Sequence, residues 1–304
     1  PGDGSGRGWT GMAKVGEDST WIDVRRSLDF LKDISSSNAN VVNVNYVRFR
    51  VAFASDAQKV GSGVAFDDVW IGNRQKVLLH EYFTNSSSAD CKVTDVLVDE
   101  LIAGHSLPQD IIDLQYHTSS PLYDPMNEIN PDASSARENN YTVPSVPYSA
   151  YGGNLFLGNT NDWINNSDQI LLDALLDPKF LLDLGVVRSG NSIDIQIDLE
   201  ANEDLEINPH LYVAFVEKTV AVTGNNGDTE FKNVVREILP YQEALPVSWL
   251  KGDVQRVNMS WEQEFFDDGS DIAVVAFIQD IATDISDREV LQVAYTEDMN
   301  SSLG

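Results

Sequence analysis

The stretch Val77-Leu78-Leu79-His80-Glu81-Tyr82-Phe83 places apolar side chains on both parities of an extended chain. It reads as a strand buried on both faces, the kind found where layers cover a sheet above and below. A helix follows. Ser87 can cap it, Asp90 suits its first turn, and Val93, Val96, Leu97 and Leu101 fall on one face. Gly104 stops it, and Ile111 to Tyr116 is a second strand. A long polar segment, Thr118 to Asp132, leads to a short helix over residues 133–140. The next strand follows Val146-Pro147-Tyr148 and turns at Tyr151-Gly152-Gly153-Asn154. Ser167 can cap a last helical stretch from Ile170, with Asp177-Pro178 restarting it and Gly185 ending it.

The flanks read differently. Residues 1–74 look all-β, with Val47, Phe49, Val51 and Phe53 alternating on one face and a further strand at Val64 to Ile71. In residues 186–298, Ile193, Ile195, Ile197 and Leu199 alternate with Asp194, Gln196, Asp198 and Glu200, the pattern of a half-buried strand. Later strands follow at spacings typical of a β-sandwich. Residues 299–304 read as linker. The expected organisation is therefore three domains, 1–74, 75–185 and 186–298, in a mixed, β-rich chain.

Composition narrows the function. With 48 acidic against 20 basic residues, the net charge of −28 repels phosphate backbones and anionic membrane surfaces. It suits a protein in a salty exterior and reads first as a solubilising surface, with Ca²⁺ or cationic partners as the alternative. No apolar run is long enough to cross a bilayer. The opening lacks the basic and apolar regions of a signal peptide, so the expectation is that a leader was removed or that the natural chain is longer. One cysteine rules out an internal disulfide, although a chain of 304 residues can build its core without one. The four histidines have no metal-ligand spacing, and His80-Glu81 is followed by Thr84 where a zinc protease motif needs histidine.

Residues 76–103 resemble the first strand and helix of a thioredoxin-type domain. At the helix start a disulfide oxidoreductase needs Cys-x-x-Cys, but here Ser88 precedes Cys91. Exchange needs an attacking thiolate and a resolving thiol, and a hydroxyl can act as neither at neutral pH. Val146-Pro147 falls where the resemblance implies a cis-proline beside that helix tip. The segments Gln115-Tyr116-His117, Asp124-Pro125-Met126-Asn127, Phe231 to Pro240 and Val275 to Asp280 extend the resemblance to a Bacteroidetes family of secreted, outer-membrane-associated proteins. In that family a thioredoxin-like domain precedes a β-sandwich. Residues 1–74, through Gly8-Trp9-Thr10-Gly11 and Gly63 to Ile71, resemble the second half of a MAM-type jelly-roll module of secreted metalloproteases and adhesins. The resemblance implies export by the type IX route.

Few residues carry chemistry. Cys91 reads as a small buried hydrophobe with a reactive thiol as the alternative. Asp67 and Asp68 lie in a strand, so one points inward. They are the candidate ligands of a structural Ca²⁺, against a salt bridge to Arg48 or Arg50. Asp267-Asp268-Gly269-Ser270-Asp271 spaces acids as short calcium loops do but also suits an exposed turn. The six tryptophans are read as core, with a carbohydrate platform as the alternative. The expected function is a non-catalytic protein of the cell surface or exterior that holds a protein or glycan partner, with Thr118 to Asp132 as its contact surface. The alternatives are the accessory end of a larger secreted hydrolase, a metalloprotease with its catalytic domain upstream, and a residual redox role through Cys91.

Overall fold

The computed structural model describes residues 75–104, 111–266 and 270–301, all within one compact unit, Arg74–Gly304. In chain order the elements are β1 (Leu78–Thr84), α1 (Ala89–Gly104), β2 (Ile111–His117), α2 (Pro131–Tyr141), β3 (Tyr148–Tyr151), β4 (Leu155–Leu157) and α3 (Thr160–Asp173). Then come β5 (Phe180–Ser189), β6 (Ser192–Ala201), β7 (Leu205–Glu206), β8 (Pro209–Val220), β9 (Phe231–Pro240), β10 (Ser248–Trp249) and β11 (Val254–Glu262). The last strands are β12 (Ile272–Asp280), β13 (Val290–Thr296) and β14 (Asn300–Ser301).

An eight-stranded sheet in the order β13-β12-β8-β9-β2-β1-β3-β4 runs through the whole unit. A four-stranded sheet, β11-β6-β5-β14, packs on it through Ile193, Ile195, Ile197 and Leu199 against Val213, Phe215, Val274 and Ala276. The alternation of β6 thus buries one face and leaves Asp194 and Glu200 exposed, as its period of two requires. On β1 the two parities serve two cores. Leu78 and Tyr82 pack with Val98, Trp163 and Ile170 of α1 and α3, while Leu79 and Phe83 pack with Ile112, Tyr116, Ala133 and Tyr141. Every residue of β1 and β2 is buried, which is the double coverage their apolar runs require.

The division expected at residues 185/186 lies inside β5, and β2 pairs with β9 in parallel at Gln115↔Val234, so one sheet joins the two ranges. Three local expectations are corrected. The buried line of α1 is Cys91, Thr94 and Val98, whereas Val93 and Val96 are exposed. Small side chains can lie against the sheet where larger ones would hold the helix away. α3 begins seven residues before Ser167, with Asp162 Oδ2 accepting from the Asn159 amide at 3.1 Å, so Ser167 lies inside the helix. Gly185 does not end a helix. The Leu181 to Val187 stretch pairs instead with β6, because a ladder and a shared core outweigh local helix propensity.

A fully buried polar cluster locks this arrangement. Glu81 of β1 receives both Arg137 Nε and Nη2 at 2.7 Å, together with the Tyr141 hydroxyl. Arg137 Nη2 also donates to Gln279 Oε1 of β12 at 3.0 Å. The guanidinium lies 4.9 Å from the ring centroid of Tyr141 and 4.9 Å from that of Tyr212. Gly153, at φ +79, lets the β3–β4 turn pass close to Gln279, since a Cβ there would sit 2.7 Å from Gln279 Nε2 and 2.2 Å from the Arg288 carbonyl oxygen. Removing one member strands a buried charge. Glu81→Ala is therefore expected to lower unfolding free energy by about 3–5 kcal/mol, read from urea denaturation; a loss below about 1 kcal/mol, the scale of an exposed pair, would refute the role.

Candidate functional site

The helix tip singled out by the missing cysteine is built by the end of β1, the β1–α1 turn and the start of α1. Ser88 precedes the first helical residue, and its Oγ accepts from the Cys91 amide at 3.2 Å. The N-cap is thus Ser88 and not Ser87, and its oxygen satisfies an orphan helix amide. Cys91 is fully buried. Burial pushes its thiol up, and hydrogen bonding with Ser88 and Thr84 offsets this only in part. A thiol so placed stays protonated and is a poor nucleophile. Pro147 is buried one residue before the Phe83↔Tyr148 pair, and the Val146–Pro147 peptide is cis.

A turn between β8 and β9 covers the tip. The Asn226 amide donates to the Ser86 carbonyl at 2.9 Å, and Asn225 Nδ2 donates to Ser87 Oγ at 2.8 Å. Lys92 ties the turn down through Asp228 Oδ1 at 2.8 Å. Gly224 is required at the contact, because a Cβ there would stand 2.7 Å from the Ser86 carbonyl oxygen.

Beside the tip, the start of the 118–132 segment is held from within. Asn85 Nδ2 donates to the carbonyls of Thr118 and Leu122, both at 2.8 Å. Asp124 accepts from the Ser86 amide at 2.6 Å, the Met126 amide at 2.8 Å and His117 Nδ1 at 2.9 Å. Burial alone would raise the Asp124 carboxyl, but these donors outweigh it and hold it below the usual carboxylate range. On this fixed backbone Leu122 and Tyr123 are 60% and 61% exposed, and Ile129 is 45% exposed.

Behind the tip lies a constellation the sequence did not announce. His80 Nδ1 is 2.7 Å from Asp113 Oδ1, and its Nε2 is 2.7 Å from Ser149 Oγ. The three residues stand on adjacent strands β2, β1 and β3, and the imidazole stacks on Tyr151 at 4.1 Å. This is the order of nucleophile, base and orienting acid in acyl transfer. The rest of such a site is missing. Ser149 and His80 are fully buried, and Ser149 pairs with β1 on one side and β4 on the other, so backbone amides near it belong to the ladder and not to an oxyanion. The cluster is a buried polar link between strands: His80 Nε2 and Ser149 Oγ have hydrogen-bond geometry, whereas His80 Nδ1 and Asp113 Oδ1 touch without it. His80 stood out in the sequence only as an isolated residue, and no spacing relates it to Asp113 or Ser149.

The remaining candidates are quickly placed. Asp67 and Asp68 lie outside the described residues, as do Asp267, Asp268 and Gly269 of the acidic turn, whereas Asp271 pairs with Lys218 at 3.5 Å. Among the described residues no group of three or more His, Cys, Asp or Glu is placed to hold a metal ion. Trp163 and Trp249 are buried core, Trp261 is partly buried, and the other three tryptophans lie outside the described residues. No described helix is long and apolar enough to cross a membrane.

No protein-family profile matches the chain, and no curated protein matches it in sequence. Among solved structures its fold is similar to HBP35 of Porphyromonas gingivalis, with a TM-score of 0.59 over 75% of this chain and 76% of that one, at 13% identity. That identity makes the likeness one of fold. Matches to a penta-heme cytochrome c552 from Thermochromatium tepidum (9% identity) and a β-glucosidase from Kluyveromyces marxianus (14%) each cover 39% of this chain, and 39% and 14% of the other. Both have a TM-score of 0.23, too low to support any argument.

Two outcomes follow from the buried tip. Native protein should not react with iodoacetamide at Cys91, and one thiol should label in urea; rapid native labelling would show the tip to be open. Asp95, which accepts from the Tyr82 hydroxyl at 2.7 Å, is pushed up to about 7 by burial, against the opposing effect of that bond. Its folded value lies above the unfolded one, so its contribution is complete at low pH and is lost as pH rises toward 7. Asp95→Asn should therefore make stability fall less between pH 4 and 7 than it does in wild type. Identical urea midpoints across that range for both proteins would contradict it.

Proposed function

We propose that this chain is a non-catalytic binding protein of the bacterial cell exterior, and that it engages a protein partner through the segment after β2. The observation that carries this is the apolar pair Leu122 and Tyr123, exposed on a backbone pinned by Asn85 and Asp124. Rigid presentation lowers the ordering cost of association, and tyrosine is among the residues that dominate interface energies. The strand order β2-β1-β3-β4, with a parallel pair beside an antiparallel pair, supports reading this half as thioredoxin-like, with the redox chemistry removed. The fold similarity to a protein of Porphyromonas gingivalis, a member of the Bacteroidetes, and the acidity of the chain support an exterior location and the secreted family of the sequence resemblance. Disulfide exchange finds no support, since the single thiol is buried.

The test is capture from outer-membrane and culture-supernatant fractions by wild type and by a Leu122→Ser/Tyr123→Ser variant of equal melting temperature. A protein retained by the first and lost by the second is expected. Equal retention by both, or no retention by wild type, would overturn the reading.

A further inference from the structure

A concavity of about 530 Å³ opens where the C-terminal turn of α2 meets β3, β4 and the turn before β13. Its size lies within the roughly 300–1,000 Å³ of small-molecule sites. Tyr148 and Phe156 form its apolar side, both partly exposed, with stacked rings whose centroids are 6.1 Å apart and whose planes differ by 19°. Asn139, Asn140, Asp284 and Arg288 form the polar side.

Two of these polar groups, Arg288 and Asp284, are held in place and still have capacity to spare. Arg288 donates through Nε to the Ala282 carbonyl at 2.9 Å and through Nη1 to the Asn140 carbonyl at 2.6 Å. Its Nη2 has no partner among the described residues. Asp284 Oδ1 receives the Ser286 amide at 3.0 Å and the Ser286 hydroxyl at 2.8 Å, which leaves Oδ2 free among the described residues. At the rim Thr142, a β-branched residue, holds a left-handed backbone at φ 52.

We propose that this concavity is a binding site for a neutral saccharide. A pyranose presents a face of C–H groups ringed by hydroxyls that both donate and accept. The Tyr148–Phe156 pair meets the C–H face, as aromatic rings do with apolar surface. The amide of Asn139, the free Asp284 oxygen and the free Arg288 donor meet the hydroxyls, with charge-assisted bonds from the last two. One positive and one negative group balance within the site, and a protein of net charge −28 disfavours an acidic sugar. The site lies at the opposite end of α2 from the 118–132 segment and does not depend on the protein-binding reading.

Saturation-transfer NMR on the whole chain tests this, with methyl glucoside, methyl mannoside and methyl galactoside as probes and sialic acid as the acidic comparator. Transfer to the ring protons of at least one neutral glycoside is expected, with none to sialic acid. Tyr148→Leu, which keeps apolar bulk without the ring, and Asn139→Ala, a change at an exposed position, should each weaken that binding, the former by about tenfold. Melting temperature reports whether each variant is folded. The proposal fails if no neutral glycoside receives saturation, if sialic acid binds as well, or if both folded variants bind like wild type.

Discussion

The pairing of Glu81 with Arg137 is the interaction on which the unit depends. It joins β1 to α2, and through Gln279 it reaches β12, so three elements far apart in sequence meet at one guanidinium. A carboxylate and a guanidinium taken out of water are costly, and their attraction offsets that cost only if every remaining donor and acceptor is satisfied. Tyr141, Gln279 and the ring faces of Tyr212 and Phe277 supply the satisfaction. Arginine suits this role because its planar fork matches a carboxylate at two points while its faces accept aromatic rings. An apolar pair of similar volume would bury as well, but would not dictate which strand end meets which helix.

That constraint bears on the helix tip. With the halves locked into one sheet, the β8–β9 turn lies against Ser86, Ser87 and Ser88. The Ser88 oxygen acts as a helix cap. The neighbouring thiol is left as packing, and the surface beside it, Leu122 and Tyr123, remains open.

The buried His80–Asp113–Ser149 line shows why atomic order alone does not make an active site. Its distances suit proton transfer, yet access and an oxyanion donor are missing. Within a sheet stacked with tyrosines, the imidazole bridges two neighbouring strands, with hydrogen-bond geometry only on its Ser149 side.

By itself the sequence determined the period of each element: double-sided burial for β1, alternation for β6, and helical stretches near α1 and α2. These follow from local side-chain order, which a chain carries without its fold. The absence of a Cys-x-x-Cys pair was equally plain, because it is a matter of spacing. Only the tertiary structure decided that α1 buries Cys91, Thr94 and Val98 in place of the larger valines, that residues 181–187 extend as strand, and that two expected domains share a sheet. It alone also brought Gln279 to Arg137 and Asp113 to His80. Such choices turn on which surfaces meet across long chain separations, where burial and hydrogen-bond satisfaction outweigh the fractions of a kilocalorie that local propensity offers.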